Sequence, residues 1–413
     1  MVGIADLLSY LDESPSPFHA VGAATRRLGA AGFAVRSDAA VDSAFFAEAR
    51  GCVTHQGAAV AWSWPQDPVI FRGALFVGAH TDSPCLRLKP RPNACAAGMS
   101  LLEVEIYGGV LLNSWLDRDL GLAGVVHSGD GSSRLVEVRR PVARVPQLAI
   151  HLDREVNEKG LVLHRQHHMR PIWGAEGGDV LALLGIGTDE TFDVALFDTT
   201  PAALVGANSE FIASGRIDNL VSCWAAVDAI RTAAADRPMI VCLFDHEEVG
   251  SESTTGAAGP LLENIVGELL RVRGLAEARF DFLRQSLCVS ADNAHGLHPN
   301  YPDRHDSNHA PLVNHGPALK RNANQRYATS ARGAAIMRRV ATEAGVQLQN
   351  FVSNNAMPCG STIGPITATR LGVETIDIGI PQLAMHSARE TCGSRDPLAL
   401  RDLVVAAAQT SAY

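Results

Sequence analysis

Two histidines and three carboxylates stand in the order His80, Asp218, Glu248, Asp292, His386, each after a short apolar run. Leu75-Phe-Val-Gly-Ala precedes His80, and Gly215-Arg-Ile precedes Asp218. Met239-Ile-Val-Cys-Leu-Phe leads to Glu247-Glu248, Cys288-Val-Ser-Ala to Asp292, and Ile376-Asp-Ile-Gly-Ile toward His386. In an open α/β sheet, ligands collect where the carboxyl ends of the strands meet. Imidazole and carboxylate donors gathered there suit a two-metal hydrolytic centre.

Each residue type has a reason to be where it is. A histidine at a strand end can bind metal through one ring nitrogen while the other donates to a carboxylate, and Asp82, two residues after His80, has the reach for that. Asp218 alone would read as a helix N-cap. Beside the other ligands it reads as a carboxylate bridging two cations about 3.5 Å apart. Adjacent glutamates after an apolar strand are costly unless something positive neutralises them. Glu248 is assigned as ligand and Glu247 as the general base for a water bridging the metals, passing its proton to the leaving amine. Asp245 and His246 are expected to support rather than bind. One metal takes His80, Asp218 and Asp292, the other Asp218, Glu248 and His386. These donors suit zinc, with manganese or cobalt as alternatives.

The elements that must carry these residues are legible in outline. Helical periodicity covers 3–12 and 18–31, with Ser16-Pro17 as a start signal for the second. Strands are expected over Val53–Trp64 and Val69–Ala79. From about Arg87 to Thr200, short alternating segments (Leu101–Tyr107, Val110–Leu116, Leu122–His127) separated by Gly and Pro turns give a β-rich texture. Helices and apolar strands then alternate. Helices are expected at Asn219–Ala235, Pro260–Leu275, Ser330–Ala344 and Pro397–Ala412. Strands are expected at Met239–Phe244, Leu287–Ser290 and Thr375–Ile380. One α/β domain, 1–86 plus 206–413, is therefore expected to carry an inserted β-rich domain, 87–205. Residues 293–320 form a long, weakly periodic segment of the functional kind.

Composition excludes several classes. A net charge of −9 leaves no basic face for nucleic acid. No apolar run approaches the ~18 residues of a membrane span. The N-terminal stretch lacks the basic region of a secretory or transit signal. The eight cysteines are scattered without a C-x-x-C pair, as in a reduced cytoplasmic protein. Gly360-Ser361-Thr362 lacks a nucleophile elbow, and the glycine-rich stretches lack a P-loop lysine.

Over nearly its whole length the chain resembles the aspartyl aminopeptidase family of co-catalytic zinc exopeptidases. The motifs carrying the resemblance begin with Ser14-Pro-Ser-Pro-Phe-His-Ala-Val21, Ala79-His-Thr-Asp-Ser-Pro84, Gly215-Arg-Ile-Asp-Asn-Leu220 and Asp245-His-Glu-Glu-Val-Gly-Ser251. Ser290-Ala-Asp-Asn-Ala-His295, Asn324-Gln-Arg-Tyr-Ala328, Pro358-Cys-Gly-Ser-Thr-Ile-Gly-Pro365 and Pro381-Gln-Leu-Ala-Met-His-Ser387 continue them. The resemblance implies a mixed central sheet flanked by helices and removal of N-terminal Asp or Glu from peptides with two metals, usually zinc. It further implies an insertion that dimerises, and dimers assembled into a tetrahedral dodecamer. It places Lys320 against the acidic substrate side chain and sends His151 to a neighbouring subunit's active site, where it stabilises the oxyanion. The alternative is another hydrolase of the same two-metal class, a broad-specificity aminopeptidase or an N-acyl amino acid deacylase, because ligands set the reaction and the pocket sets the substrate.

Overall fold

Strict alternation inside short strands organises the centre of the molecule. In Met239–Phe244, Met239, Val241 and Leu243 enter one core while Ile240, Cys242 and Phe244 enter another. Leu75–His80 does the same, with Leu75, Val77 and Ala79 on one side and Phe76 on the other. Strands buried on both faces require helices above and below. The computed structural model describes residues 3–65, 73–234 and 236–410 and has that layering.

The large mixed sheet has nine strands in the order Ala34–Ser37, Arg50–His55, Ala58–Ser63, Met239–Phe244, Leu75–His80, Leu287–Ala291, Glu374–Gly379, Ala318–Lys320, Gln349–Phe351. Its middle four, from Met239–Phe244 to Glu374–Gly379, run parallel. Helices Ile217–Thr232, Ala331–Ala344 and Asp396–Gln409 cover one face, and Leu261–Val272 and Ile363–Leu371 the other. Ile217–Thr232 is almost wholly buried, as a central helix must be, and its few polar side chains, such as Asp218, Asn219 and Asp228, are buried with the rest.

Between Cys85 and Asp198 the chain builds a separate antiparallel sheet of six strands over its own core of Leu86, Leu102, Leu122, Val126 and Leu196. A third sheet of five short strands includes Phe211–Ser214, Glu390–Gly393, Pro381–Leu383 and Ala294–His295.

Several expectations need adjusting. Val53–Trp64 is a hairpin, Arg50–His55 and Ala58–Ser63, because Gln56 at φ 52 turns the chain tightly before Gly57. Val110–Leu116 holds a single-turn helix, Leu112–Trp115, rather than a strand. The strand expected over Val69–Ala79 is Leu75–His80, while residues 69–72 lie outside the described residues. So do Ala235 and residues 411–412, at the ends of two expected helices that run Ile217–Thr232 and Asp396–Gln409. Ser16 and Pro17 do open the helix Pro17–Ala30, with the Ser16 hydroxyl accepting from the His19 amide. The segment 293–320 is mostly loop, ending in Ala318–Lys320. Among the described residues no helix is long and apolar enough to cross a membrane.

Gly379 ends its strand against the backbone of Asp292, and a Cβ there would overlap the Asp292 carbonyl. Gly379→Ala is expected to lower stability by about 1–3 kcal/mol. Gly129→Ala, where an added Cβ meets nothing, should stay within about 0.5 kcal/mol of the wild type. Thermal and denaturant unfolding of the two variants measure this.

Candidate metal centre

The parallel strands all end on one edge of the large sheet. Phe244 is in register with His80, and the neighbouring Leu287–Ala291 strand hands the chain to Asp292 at the same edge. Glu247 and Glu248 form a single helical turn just past Phe244, entered through His246 in the left-handed region at φ 61. Asp218 sits at the start of Ile217–Thr232 but has non-helical angles, φ −81 and ψ 107. That frees its side chain from the helix axis and turns it toward His80. His386 lies between Pro381–Leu383 and Glu390–Gly393, also left-handed at φ 68.

All five expected ligands converge. His80 Nε2 is 3.5 Å from Asp218 Oδ1, 3.6 Å from Asp292 Oδ1 and 3.8 Å from Glu247 Oε2. His386 Nε2 is 3.3 Å from Glu248 Oε2 and 3.8 Å from Asp218 Oδ2. Two triads, His80–Asp218–Asp292 and Asp218–Glu248–His386, each bring one donor atom per residue within 4.8 Å of the others. Asp218 belongs to both, with one oxygen toward each histidine. A third grouping, His80–Glu247–Glu248, meets the same distance. Glu247 is nevertheless the more accessible glutamate, its side chain 15% exposed against 5% for Glu248.

The electrostatics call for cations. Burial pushes Glu247 well above the usual carboxylate range, with Asp292, Glu248 and Asp82 adding to it against His80. Burial likewise raises Glu248 to about 7. Against burial, the carboxylates around the two histidines drive His80 well up and His386 to about 10. Lys320 and His80 outweigh burial at Asp292 and hold it low. Asp218 Oδ1 and Glu248 Oε1 are buried without a hydrogen-bond partner. Orphaned carboxylate oxygens on residues that also face imidazole nitrogens fit a pair of divalent ions, since a buried charge persists only when paired or metal-bound.

Around the ligands lies a layer that sequence reasoning only partly found. Asp82, fully buried, faces His80 Nδ1 at 3.3 Å and accepts from the Glu247 and Glu248 amides, each at 3.1 Å. Tyr107 also donates its hydroxyl to Asp82 at 2.6 Å, beneath the Arg87 guanidinium 3.7 Å from its ring centre. The Gly109 carbonyl lies 3.1 Å from His386 Nδ1. Glu390 accepts from the amides of Asp218 at 2.9 Å and His386 at 2.6 Å, and burial raises it to about 8. Gln382 links Glu390 to Asn293, next to Asp292. Tyr107, Gly109 and Glu390 were missed because none follows an apolar run as the ligands do. The one available signal was Glu390 lying four residues past His386.

The remaining predicted site residues divide. Lys320 is buried in the wall of the same cavity, about 480 Å3 in volume. Its Nζ donates to the Asp292 and Asn293 carbonyls at 3.0 and 2.8 Å and lies 3.5 Å from Asp292 Oδ2. His151 is not brought to the cavity: it stands in an exposed turn flanked by exposed Ile150 and Leu152. Asp245 receives the His246 amide, and the His246 ring meets the Ser253 and Thr255 hydroxyls.

Comparison with known proteins follows this geometry. The family model described as aminopeptidase I zinc metalloprotease (M18) matches residues 10–403. The protein described as probable M18 family aminopeptidase 2 of Streptomyces coelicolor is 47% identical, over 97% of this chain and 96% of that protein. Among solved structures, a chain of the cryo-EM structure of the Ape4 and Nbr1 complex superposes with TM-score 0.91 at 33% identity, covering 98% of this chain and 84% of that one. The S. cerevisiae mApe1 dodecamer superposes with TM-score 0.82 at 25% identity, covering 98% and 95%.

Tyr107→Phe removes the hydroxyl from Asp82 and little else. Loss of such a partner behind a metal-binding histidine is expected to weaken metal affinity or activity about 10- to 100-fold. Competitive chelator titration together with turnover of an aminoacyl amide measures both.

Proposed function

The chain belongs to the M18 family of zinc aminopeptidases, and on that premise we propose that it removes N-terminal Asp and Glu from peptides at a centre holding two zinc ions. The observation that carries the acidic preference is Lys320, an ammonium fixed in the cavity wall beside Asp292. Two carbonyls take two of its three donors and Asp292 Oδ2 lies 3.5 Å away, so a substrate carboxylate would share the ammonium with Asp292.

His80, Asp218 and Asp292 would hold one ion, and Asp218, Glu248 and His386 the other. Divalent ions held there would supply Lewis-acid polarisation of a carbonyl and would acidify a water. Glu247, the more exposed of the two glutamates lining the cavity, takes the proton of the attacking water and delivers it to the leaving amine. Asp82 keeps the His80 ring nitrogen that faces it protonated, so the other nitrogen is free to bind metal.

His151 is assigned to a neighbour's active site, as a donor to the oxyanion. Its exposed turn, with Leu148, Ile150 and Leu152 uncovered, suits a subunit contact made by the inserted region 87–205. Similarity to the S. cerevisiae dodecamer supports a homo-oligomer, which the family resemblance would make a tetrahedral dodecamer built from dimers. Eight free cysteines fit a cytoplasmic setting.

Zinc-reconstituted protein should hydrolyse Asp and Glu p-nitroanilides faster than Leu or Lys p-nitroanilides, and chelation should abolish the activity. Equal rates on Leu identify a broad aminopeptidase instead, and turnover confined to N-acyl amino acids a deacylase. Glu247→Gln is expected to lower kcat about 10²- to 10⁴-fold while two metals per chain remain by elemental analysis. Lys320→Ala should reduce the preference for Asp over Leu about 10- to 100-fold; an unchanged ratio refutes that assignment.

A further inference from the structure

A second cavity of about 360 Å3 lies beside the metal cavity, and the two share His295 and Met385 as a common wall. The surface it exposes is mostly apolar, with Phe351, Met357 and Leu383 in its lining beside polar residues that include His298, His305 and Asp306. Arg304 stands at its rim, Nη1 3.8 Å from the Met357 sulfur. An aromatic partition separates this space from Lys320. The His295 ring meets Phe351 edge-on at 5.9 Å, Phe351 meets Tyr327 at 6.0 Å, and Lys320 Nζ lies 4.7 Å from the centre of the Tyr327 ring. Tyr327 and Lys320 line the metal cavity and not the second one, whereas Phe351 lines the second and not the first.

We propose that the second cavity receives the side chain of the substrate's second residue and selects an apolar one, of the leucine-to-phenylalanine class. The assignment rests on the aminopeptidase reading above. An aminopeptidase needs no space upstream of the first residue. With that residue's side chain on the Lys320 side of the partition, the peptide beyond the scissile bond leaves through the adjoining space. The shared wall makes that path short: Met385 immediately precedes the ligand His386, and His295 follows Asp292 by three residues. The cavity is of the size range of small ligand sites, and its aromatic and aliphatic side chains are interspersed with polar ones such as His298, His305 and Asn354 that could orient a peptide. A lysine or arginine side chain entering it would lose its hydration against a largely apolar surface and meet the Arg304 guanidinium, while Asp306, the carboxylate in the lining, is already engaged by the Asn308 amide and the His309 ring, so basic second residues are disfavoured.

The test is a dipeptide series on the zinc-reconstituted wild-type enzyme: Asp-Gly, Asp-Leu, Asp-Phe and Asp-Lys, with a parallel series beginning with Leu. Asp-Leu and Asp-Phe are expected to exceed Asp-Gly and Asp-Lys in kcat/KM by about 10-fold or more, the range of discrimination an apolar pocket supplies. Met357→Glu should shift the preference toward Asp-Lys. A flat second-position profile in the wild type overturns the proposal, and that readout needs no variant to fold. If the Leu series is cleaved as fast as the Asp series, the acidic reading fails, while the second-position profile still decides the present one. If neither series is cleaved, both fail.

Discussion

A carboxylate with no access to water must be fully engaged by its neighbours, and the centre is built around one. Asp82 is completely buried, and stripping water from an anion costs several kcal/mol unless hydrogen bonds and opposite charge replace it. The replacements are the His80 ring, the Tyr107 hydroxyl and the amides of Glu247 and Glu248. Satisfying Asp82 therefore fixes the rotation of one expected ligand and the backbone of the glutamate pair together. Three distant parts of the chain are tied in by a single side chain. Glu390 does the equivalent work on the opposite side, joining the Asp218 and His386 amides.

The two carboxylates differ in what they must tolerate. Asp82 lies next to an imidazole and is held low against its burial, with the His80 contact the main reason. Glu390 faces Asp218 and is pushed up to about 8 by burial and that like charge. The centre thus carries more negative charge than its histidines can balance, and Asp218 and Glu248 are left with unpartnered oxygens. Such an arrangement stabilises a cation more than it stabilises the fold. Part of the cost is met far from the site by the two packed cores and the all-round burial of Ile217–Thr232.

The sequence carried the ligands because strand ends are local features. An apolar run followed at once by a histidine or carboxylate is visible without knowing what lies opposite, and all five such positions converge. The alternating texture after Arg87 announced a β-rich segment for the same reason. Strand order, by contrast, follows from pairings across more than a hundred residues, and Met239–Phe244 lies between strands that precede it by far in the chain. Tyr107 and Glu390 were illegible for a related reason: their importance comes from facing Asp82 and Asp218, which no periodicity records. The Arg50–Ser63 hairpin was read as one strand because two short apolar segments joined by Gln56-Gly57 lack a strong turn signal. Lys320 and His151 came from family resemblance alone, and no local pattern marks either residue.

Tyr107, Gly109 and Leu111 belong to the stretch that leaves the six-stranded sheet, and all three touch the centre: Tyr107 through Asp82, Gly109 through the His386 ring, Leu111 through the His386 carbonyl. Gly108 between them has no room for a side chain that does not press on Glu248. The segment works as a splint laid across the two halves of the centre, rooted in the six-stranded sheet. Any displacement of that segment would move the groups behind both histidines together. The six-stranded sheet and the centre are therefore mechanically one piece, although they belong to separate cores.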